Sequence, residues 1–269
     1  MKTIGEVIQL SAQFLKERNI DRPQRIVEEL LTHALQLKRI DLYLQYDRPL
    51  VDGELATLRE KLKRIAKNEP LEYITGEVEF FGGKFKVTPD VLIPRPETEL
   101  LVEMIAKKAK KGILWDLCTG SGCIGISLKR ANPELQVALS DLSPAALAVA
   151  KQNGLGLDVE ILEGDLFQPF HGRKADFIVC NPPYISRAEY ERLDPSVRLF
   201  EPKMALVGGE RGTEFYERIS REFKEYLNPG GTLFLEIGYN QGEQVAQLFK
   251  QGHVLKDLSG LDRFFLAAN

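Results

Sequence analysis

Apolar positions recur along the chain at two different spacings. Ile4, Val7, Ile8, Phe14 and Leu15 stand at helical intervals, as do Ile26, Val27, Leu30, Leu31, Ala34 and Leu35. Leu55, Leu58, Leu62 and Ile65 make a third stripe, for which Asp52 is the predicted N-cap, and Arg39–Gln45 is a candidate short helix. Glycine interrupts this stretch only at Gly5 and Gly53. The pattern predicts a small helical bundle over residues 1–74. Glu77–Phe81 and Lys84–Val87 then read as strands around Gly82-Gly83, a β-hairpin. Pro89, Pro94 and Pro96 are expected to keep LIPRPETE out of regular structure, so 75–98 reads as a hairpin-bearing linker.

From residue 99 onward helices and strands alternate. Ile113–Leu117, Val137–Ser140, Val159–Leu162, Phe177–Cys180, Thr232–Ile237, Val254–Leu258 and Arg263–Leu266 read as strands. Leu100–Lys110, Gly122–Arg130, a segment capped by Ser143 and running to about Asn153, Thr213–Leu227 and Gln241–Lys250 read as helices, with Asn228-Pro229-Gly230-Gly231 as a stop. This is the signature of an α/β fold with a doubly wound, mostly parallel, seven-stranded sheet over 99–269. Too little chain separates the last two strands for a crossover, so that pair must be antiparallel.

Composition narrows the classes. Basic and acidic residues number 36 and 39, a net charge of −3, which counts against a protein that holds nucleic acid mainly through its phosphates. Cys118, Cys123 and Cys180 are an odd, small set that points to a reducing, cytoplasmic compartment. The N-terminal stretch, broken by Glu6, Lys16 and Glu17, does not read as a signal peptide, and no apolar run is long enough to span a membrane.

The first strand of the sheet ends in Asp116-Leu117-Cys118-Thr119-Gly120-Ser121-Gly122, where the next helix starts. A glycine-rich turn of this kind lets a ligand approach the backbone and aims amide N–H groups at it. Gly120-x-Gly122-x-x-Gly125 matches the dinucleotide fingerprint, and Asp141 stands about 20 positions on, where a ribose-binding carboxylate belongs. On this loop alone a nicotinamide cofactor stays open, as does mere helix–sheet packing. S-adenosylmethionine is the other candidate, and Asp116 favours it. A carboxylate there would repel a pyrophosphate and attract an amino-acid ammonium. Asp165 follows the third strand and is placed at the adenine amino group, with Leu166 or Phe167 against the ring.

Asn181-Pro182-Pro183-Tyr184 follows the fourth strand, which should lie beside the first at the topological switch point. Two prolines stiffen the turn. The Asn181 side-chain oxygen and the Pro182 carbonyl make a two-acceptor clamp for a planar –NH2 group, and Tyr184 offers a face for stacking. Such a clamp suits methyl transfer to a nitrogen whose lone pair is delocalised. No general base is required, and His33, His171 and His253 lie outside the motifs. No metal site is predicted.

These motifs, with LEYITGEVEFFGGKFKVTPDVLIPRPETELL, SDLSPAAL, EPKMALVGGERG, NPGGTLFLEIG and KDLSGLDRFF, resemble those of the HemK-type protein-(glutamine) N-methyltransferases of peptide chain release factors over nearly the full length. The resemblance implies S-adenosyl-L-methionine as cofactor and the glutamine of the release factors' Gly-Gly-Gln motif as acceptor. It also implies a helical N-terminal domain that engages the release factor. By position it implies that Thr119, Gly120, Ser121, Gly122, Asp141 and Leu166 line the cofactor and that Asn181 touches both cofactor and substrate. Asn181, Pro182, Pro183 and Tyr184 hold the glutamine, and Arg95–Glu99 close over the methionine end. Cys118 replaces the usual first loop glycine, so its backbone is expected to avoid positive φ. The expected state is a monomeric cytoplasmic enzyme that acts on no nucleic acid. An amino-methyltransferase of DNA or RNA, a non-catalytic module and a nicotinamide dehydrogenase are the alternatives.

Overall fold

A threonine three residues before a glutamate opens the first helix. In the computed structural model, which describes residues 2–269, the Glu6 N–H donates to Thr3 Oγ1 at 3.3 Å and the Thr3 N–H to Glu6 Oε2 at 2.8 Å. This capping box starts α1 (Ile4–Lys16). α2 (Pro23–Leu35), α3 (Arg39–Leu44), α4 (Asp52–Ile65) and α5 (Leu71–Thr75) follow. The predicted stripes meet in one cluster that includes Ile4, Leu15, Leu30, Leu31, Leu58 and Leu62. Asp52 is the first helical residue of α4 and not its cap. Val51 takes the cap position, and its N–H donates to Glu54 Oε2 at 2.9 Å, so the carboxylate of the third helical residue does the capping. Glu28 is fully buried on α2, yet it accepts hydrogen bonds from Gln24, Arg39 and Tyr43, the arrangement a buried carboxylate requires.

The chain forms two compact units. One holds the chain through Gly76 together with Pro195–Phe200; the other holds Glu77–Asp194 and Glu201–Asn269. In the larger unit the hairpin of β1 (Glu77–Phe80) and β2 (Gly83–Lys86) buries Phe80 and Phe85 among Leu101, Val102, Ile105 and Leu114. α6 (Pro96–Lys108) begins earlier than expected, inside the proline segment. Pro96 stands at its first position, where a missing N–H costs nothing and the fixed φ favours a helix start.

The remaining elements are β3 (Gly112–Leu117), α7 (Cys123–Ala131), β4 (Leu135–Asp141), α8 (Pro144–Asn153), β5 (Val159–Glu163), β6 (Ala175–Cys180), β7 (Ile185–Ser186), α9 (Arg187–Tyr190), α10 (Pro195–Phe200), α11 (Lys203–Leu206), β8 (Val207–Gly209), α12 (Glu214–Tyr226), β9 (Leu227–Glu236), α13 (Gly242–Phe249), β10 (His253–Lys256) and β11 (Asp262–Ala268). Seven strands form one sheet in the order β10-β11-β9-β6-β3-β4-β5. β11 runs antiparallel to both β9 and β10, and the other pairings are parallel. Alternate residues of β3 serve opposite faces: Leu114 joins one core cluster, while Trp115 joins the other and stacks on Phe170 at 4.0 Å. Asn228-Pro229-Gly230-Gly231 lies within β9, not before it. Ala175 pairs with Leu227 and Phe177 with Thr232, so the turn-prone residues bulge out and pairing resumes beyond them. No helix among the described residues is long and apolar enough to cross a membrane.

Candidate active site

β3 and β6 lie side by side at the point where strand order reverses, and a cavity opens at their C-terminal ends. Cys118, Thr119, Gly120, Ser121, Asp141, Asp165, Leu166, Asn181 and Pro183 line it. Asp116, Gly122, Pro182 and Tyr184 are not among the lining residues. The sequence motifs thus converge on one cavity, with four of their members outside its lining.

Asp116 lies beneath the loop. It is 0 % exposed, and its Oδ2 accepts from Thr119 Oγ1 at 2.6 Å and from the Gly125 N–H at 2.9 Å. Its Oδ1 is buried with no hydrogen-bond partner among the described residues. Burial pushes this carboxyl up to about 7, assisted by the neighbouring charge of Asp141 and opposed by the two hydrogen bonds. Asp141 organises the loop from the other side. Its Oδ2 accepts from the Gly120 N–H at 2.8 Å and its Oδ1 from the Ser143 N–H at 2.9 Å, while burial raises its pKa. A Cβ added to Gly120 would meet no atom within 4 Å, and Gly120 lines the cavity, so its bare backbone faces open space. This is what close approach of a ligand to the loop needs.

Cys118 does not avoid the left-handed region: its φ is +55°. Leu166, across the cavity, has φ +48°. Each costs on the order of 1–2 kcal/mol in a residue with a Cβ. Cys118 is held there between the Leu117–Cys180 pairing of β3 with β6 and the bond from the Thr119 N–H to the Ser140 carbonyl at 2.9 Å. Cys180 is buried behind Asn181, and its thiol is raised well above the ordinary range by burial and by the adjoining Cys118. Phe167 is core, stacked on Tyr226 at 4.6 Å, which leaves Leu166 as the apolar wall.

The Asn181–Tyr184 turn is braced from outside. Pro182 and Pro183 are buried and Tyr184 is half-buried. Burial pushes the Tyr184 phenol up to about 12. Gln241 donates to the Tyr184 carbonyl at 3.0 Å. β7 pairs with β8, and Gly208 of β8 abuts the turn so closely that an added Cβ would stand 2.3 Å from the Pro183 carbonyl oxygen. Gly208→Ala is therefore expected to displace the turn and lower kcat about tenfold or more, with cofactor affinity little changed. Turnover and calorimetric binding on the same preparation check this.

Known proteins resemble this chain in sequence over nearly its full length. The model of the PrmC N-terminal domain matches residues 6–76, and that of the methyltransferase small domain matches residues 96–199. A Geobacter sulfurreducens protein called release factor glutamine methyltransferase is 42% identical over 97% of this chain and 95% of its own length. A Chlamydia trachomatis protein of the same name is also 42% identical, over 98% and 93%. The chain belongs to the release factor glutamine methyltransferase family. Solved structures support the fold. A methyltransferase from Pyrococcus furiosus has a TM-score of 0.53 at 16% identity, over 81% of this chain and 98% of its own. The 16S rRNA N2 G1207 methyltransferase of T. thermophilus, solved with AdoMet and guanosine, scores 0.52 at 17% identity, over 72% and 49%.

The structure adds contacts to the site of this family member that the motifs did not specify. Glu201, buried in EPKMALVGG, accepts from the Ile93 N–H at 3.2 Å and from the Arg95 guanidinium, so it ties down LIPRPETE. Leu92, Pro94, Arg95 and Thr98 of that segment line the cavity. Leu142 and Met204 do too, although 55% and 54% exposed, an apolar exposure that would mark a binding wall only once the fold is known. Arg218 of α12 donates to Asp165 Oδ2 at 2.7 Å, which orients that carboxylate. The partners of each pair stand far apart in the chain, so no local pattern shows that they meet.

Proposed function

We propose that the chain transfers a methyl group from S-adenosyl-L-methionine to the side-chain amide nitrogen of the glutamine in the Gly-Gly-Gln motif of peptide chain release factors. The observation that carries the reading is the convergence of Asn181 and Pro183 with the glycine loop and Asp141 on one cavity. Family membership at 42% identity over nearly the whole chain supplies the substrate. Gly120 would receive the cofactor's amino-acid end, Asp141 its ribose hydroxyls, and Asp165 with Leu166 its adenine. The buried Asp116 Oδ1, with no hydrogen-bond partner among the described residues, fits a site that takes up a cationic ligand nearby. When bound, the cofactor supplies an electrophilic methyl group.

The chain's own residues orient the acceptor. The Asn181 side-chain oxygen and the Pro182 carbonyl accept the two amide N–H bonds of the glutamine. This holds the nitrogen in one place with its π face toward the methyl group. Conjugation with its own carbonyl makes that nitrogen a poor nucleophile, so position matters more than basicity. As the new C–N bond forms, the methyl–sulfonium bond would break to leave a neutral thioether, and the nitrogen would give up one proton to bulk water. Tyr184, whose carbonyl accepts from Gln241, stiffens the turn that presents it. The helical domain over 1–74 engages the release factor, the segment 75–98 carries the hairpin and proline linker, and the domain over 99–269 performs the transfer. A monomer in the cytoplasm completes the reading, with no nucleic-acid substrate.

The test supplies tritiated cofactor with intact release factor, with the same factor carrying Gln→Ala in Gly-Gly-Gln, and with total RNA and DNA. Label is expected in the intact factor alone. Label in nucleic acid and none in the factor would overturn the reading.

A further inference from the structure

The cofactor's adenine is a flat aromatic ring, and a side chain that lies against its face holds it best if that side chain is aromatic too. Among the described residues that line the cavity, Phe215 is the only aromatic one. Phe167 is stacked on Tyr226 in the core, and Tyr184 is not part of the lining. Leu142 and Leu166, which line the cavity from the loops after β4 and β5, are aliphatic. They can bury a ring but cannot stack on it.

Phe215 lies in the first turn of α12, and its neighbours fix where its ring stands. Tyr216 is fully buried, and its hydroxyl donates to the Glu236 carbonyl at 3.3 Å, which anchors the helix to β9. Phe215 stands about 100° round the helix from Tyr216. It is half-buried and packs against the core cluster that holds Leu166 and Phe167. Arg218, three residues on, shares the face of Phe215. It donates to Asp165 Oδ2 at 2.7 Å, and its guanidinium carbon lies 5.7 Å from the Phe215 ring centroid. One arginine thus joins the ring to the carboxylate of the cavity wall. We propose that Phe215 is the residue that stacks on the cofactor's adenine, held at the Asp165 end of the cavity by Arg218. The proposal rests on the reading that the cavity takes S-adenosyl-L-methionine with its adenine at Asp165.

The arrangement reads a purine by edge and by face together. The ion pair occupies Asp165 Oδ2, which leaves Oδ1 to accept from the exocyclic –NH2 at the ring's edge. Phe215 covers the face. Cutting back an aromatic that stacks on a base costs about 5- to 150-fold in affinity. Because the gain comes from the π face, a tyrosine should serve almost as well as the phenylalanine, and a leucine should supply burial alone. The competing occupant of the ring is the planar amide of the substrate glutamine, since Asn181 and Pro183 line the same cavity. The two occupants predict opposite splits between cofactor affinity and release-factor affinity.

The experiment measures dissociation constants by calorimetry for the wild type, Phe215→Ala, Phe215→Leu and Phe215→Tyr. The ligands are S-adenosylhomocysteine and methylthioadenosine, which keeps the adenine and ribose but lacks the amino-acid end. KM for intact release factor is measured at saturating cofactor on the same preparations. Phe215→Ala is expected to weaken both ligands at least tenfold and by the same factor, because the lost contact is to the part they share. Phe215→Tyr is expected to bind both within threefold of the wild type, and Phe215→Leu to fall between alanine and tyrosine. Unchanged affinity in Phe215→Ala would overturn the proposal. So would a loss confined to S-adenosylhomocysteine, or a raised release-factor KM beside unchanged cofactor affinity. If Phe215→Ala does not fold, the two variants of similar bulk decide, and equal affinities in Phe215→Leu and Phe215→Tyr would overturn it. A wild type that binds neither ligand removes the cofactor reading itself, whereas tight wild-type binding that Phe215→Ala leaves intact removes only the role of Phe215.

Discussion

Asn181→Ala is expected to lower kcat by about 10²–10³-fold and to change cofactor affinity by less than about threefold. The asparagine stands at the tip of β6 on a turn stiffened by Pro182 and Pro183 and backed by Gly208. Its backbone position survives the substitution, so the cofactor cavity keeps its shape. What disappears is one of two acceptors for the substrate amide. The remaining Pro182 carbonyl would leave the nitrogen free to swing, and a displacement of about 1 Å can by itself cost about a hundredfold. Cavity formation adds little, because Asn181 is only half-buried. Steady-state turnover on release factor, with calorimetry for the cofactor, checks this. Parallel losses in both quantities would show that Asn181 shapes the cofactor site and does not act on the acceptor.

Asp141→Ala is expected to produce the opposite split. Cofactor affinity should weaken about 10- to 100-fold, equivalent to the roughly 1.5–3 kcal/mol of hydrogen bonding to a charged group. kcat at saturating cofactor should fall much less. Both carboxylate oxygens already hold backbone, one at Gly120 and one at Ser143, and each retains a lone pair for a ribose hydroxyl. Removing the carboxylate therefore releases the glycine loop and deletes the ribose acceptor together. Asp141→Asn separates these effects in part, since an amide oxygen can still accept one of the two backbone bonds. Unchanged affinity in Asp141→Ala would rule out the ribose role.

Much of the site was legible in the chain because its parts are local. The glycine turn, Asp141 at a strand end and Asn181–Tyr184 after a buried strand each announce themselves within a few residues. Their shared cavity follows from strand order, which right-handed crossovers restrict to few choices. The errors have local causes. Three prolines in LIPRPETE predict irregular chain, but Pro96 opens α6. The Asn228–Gly231 run predicts a stop between a helix and a strand, but it bulges from the strand. A residue with a Cβ is predicted to avoid positive φ, yet neighbouring strands hold Cys118 there. At Cys118 and in the Asn228–Gly231 run packing outweighs the residues' own preference, whereas Pro96 takes the helix position that suits it.

By itself the sequence determined the two kinds of architecture, the alternation that builds the parallel sheet, and the residue types that can bind a cofactor and grip a planar amide. These depend on periodicity and on short motifs, which are properties of neighbours in the chain. Only the tertiary structure decided which groups face the cavity and which do not. It put Asp116 under the loop, Gly208 against the Pro183 carbonyl, Glu201 on Arg95, and Arg218 on Asp165. Those relations join residues far apart in sequence across strand tips. A hydrogen bond depends on distance and direction in space, and the order of residues along the chain does not encode these locally.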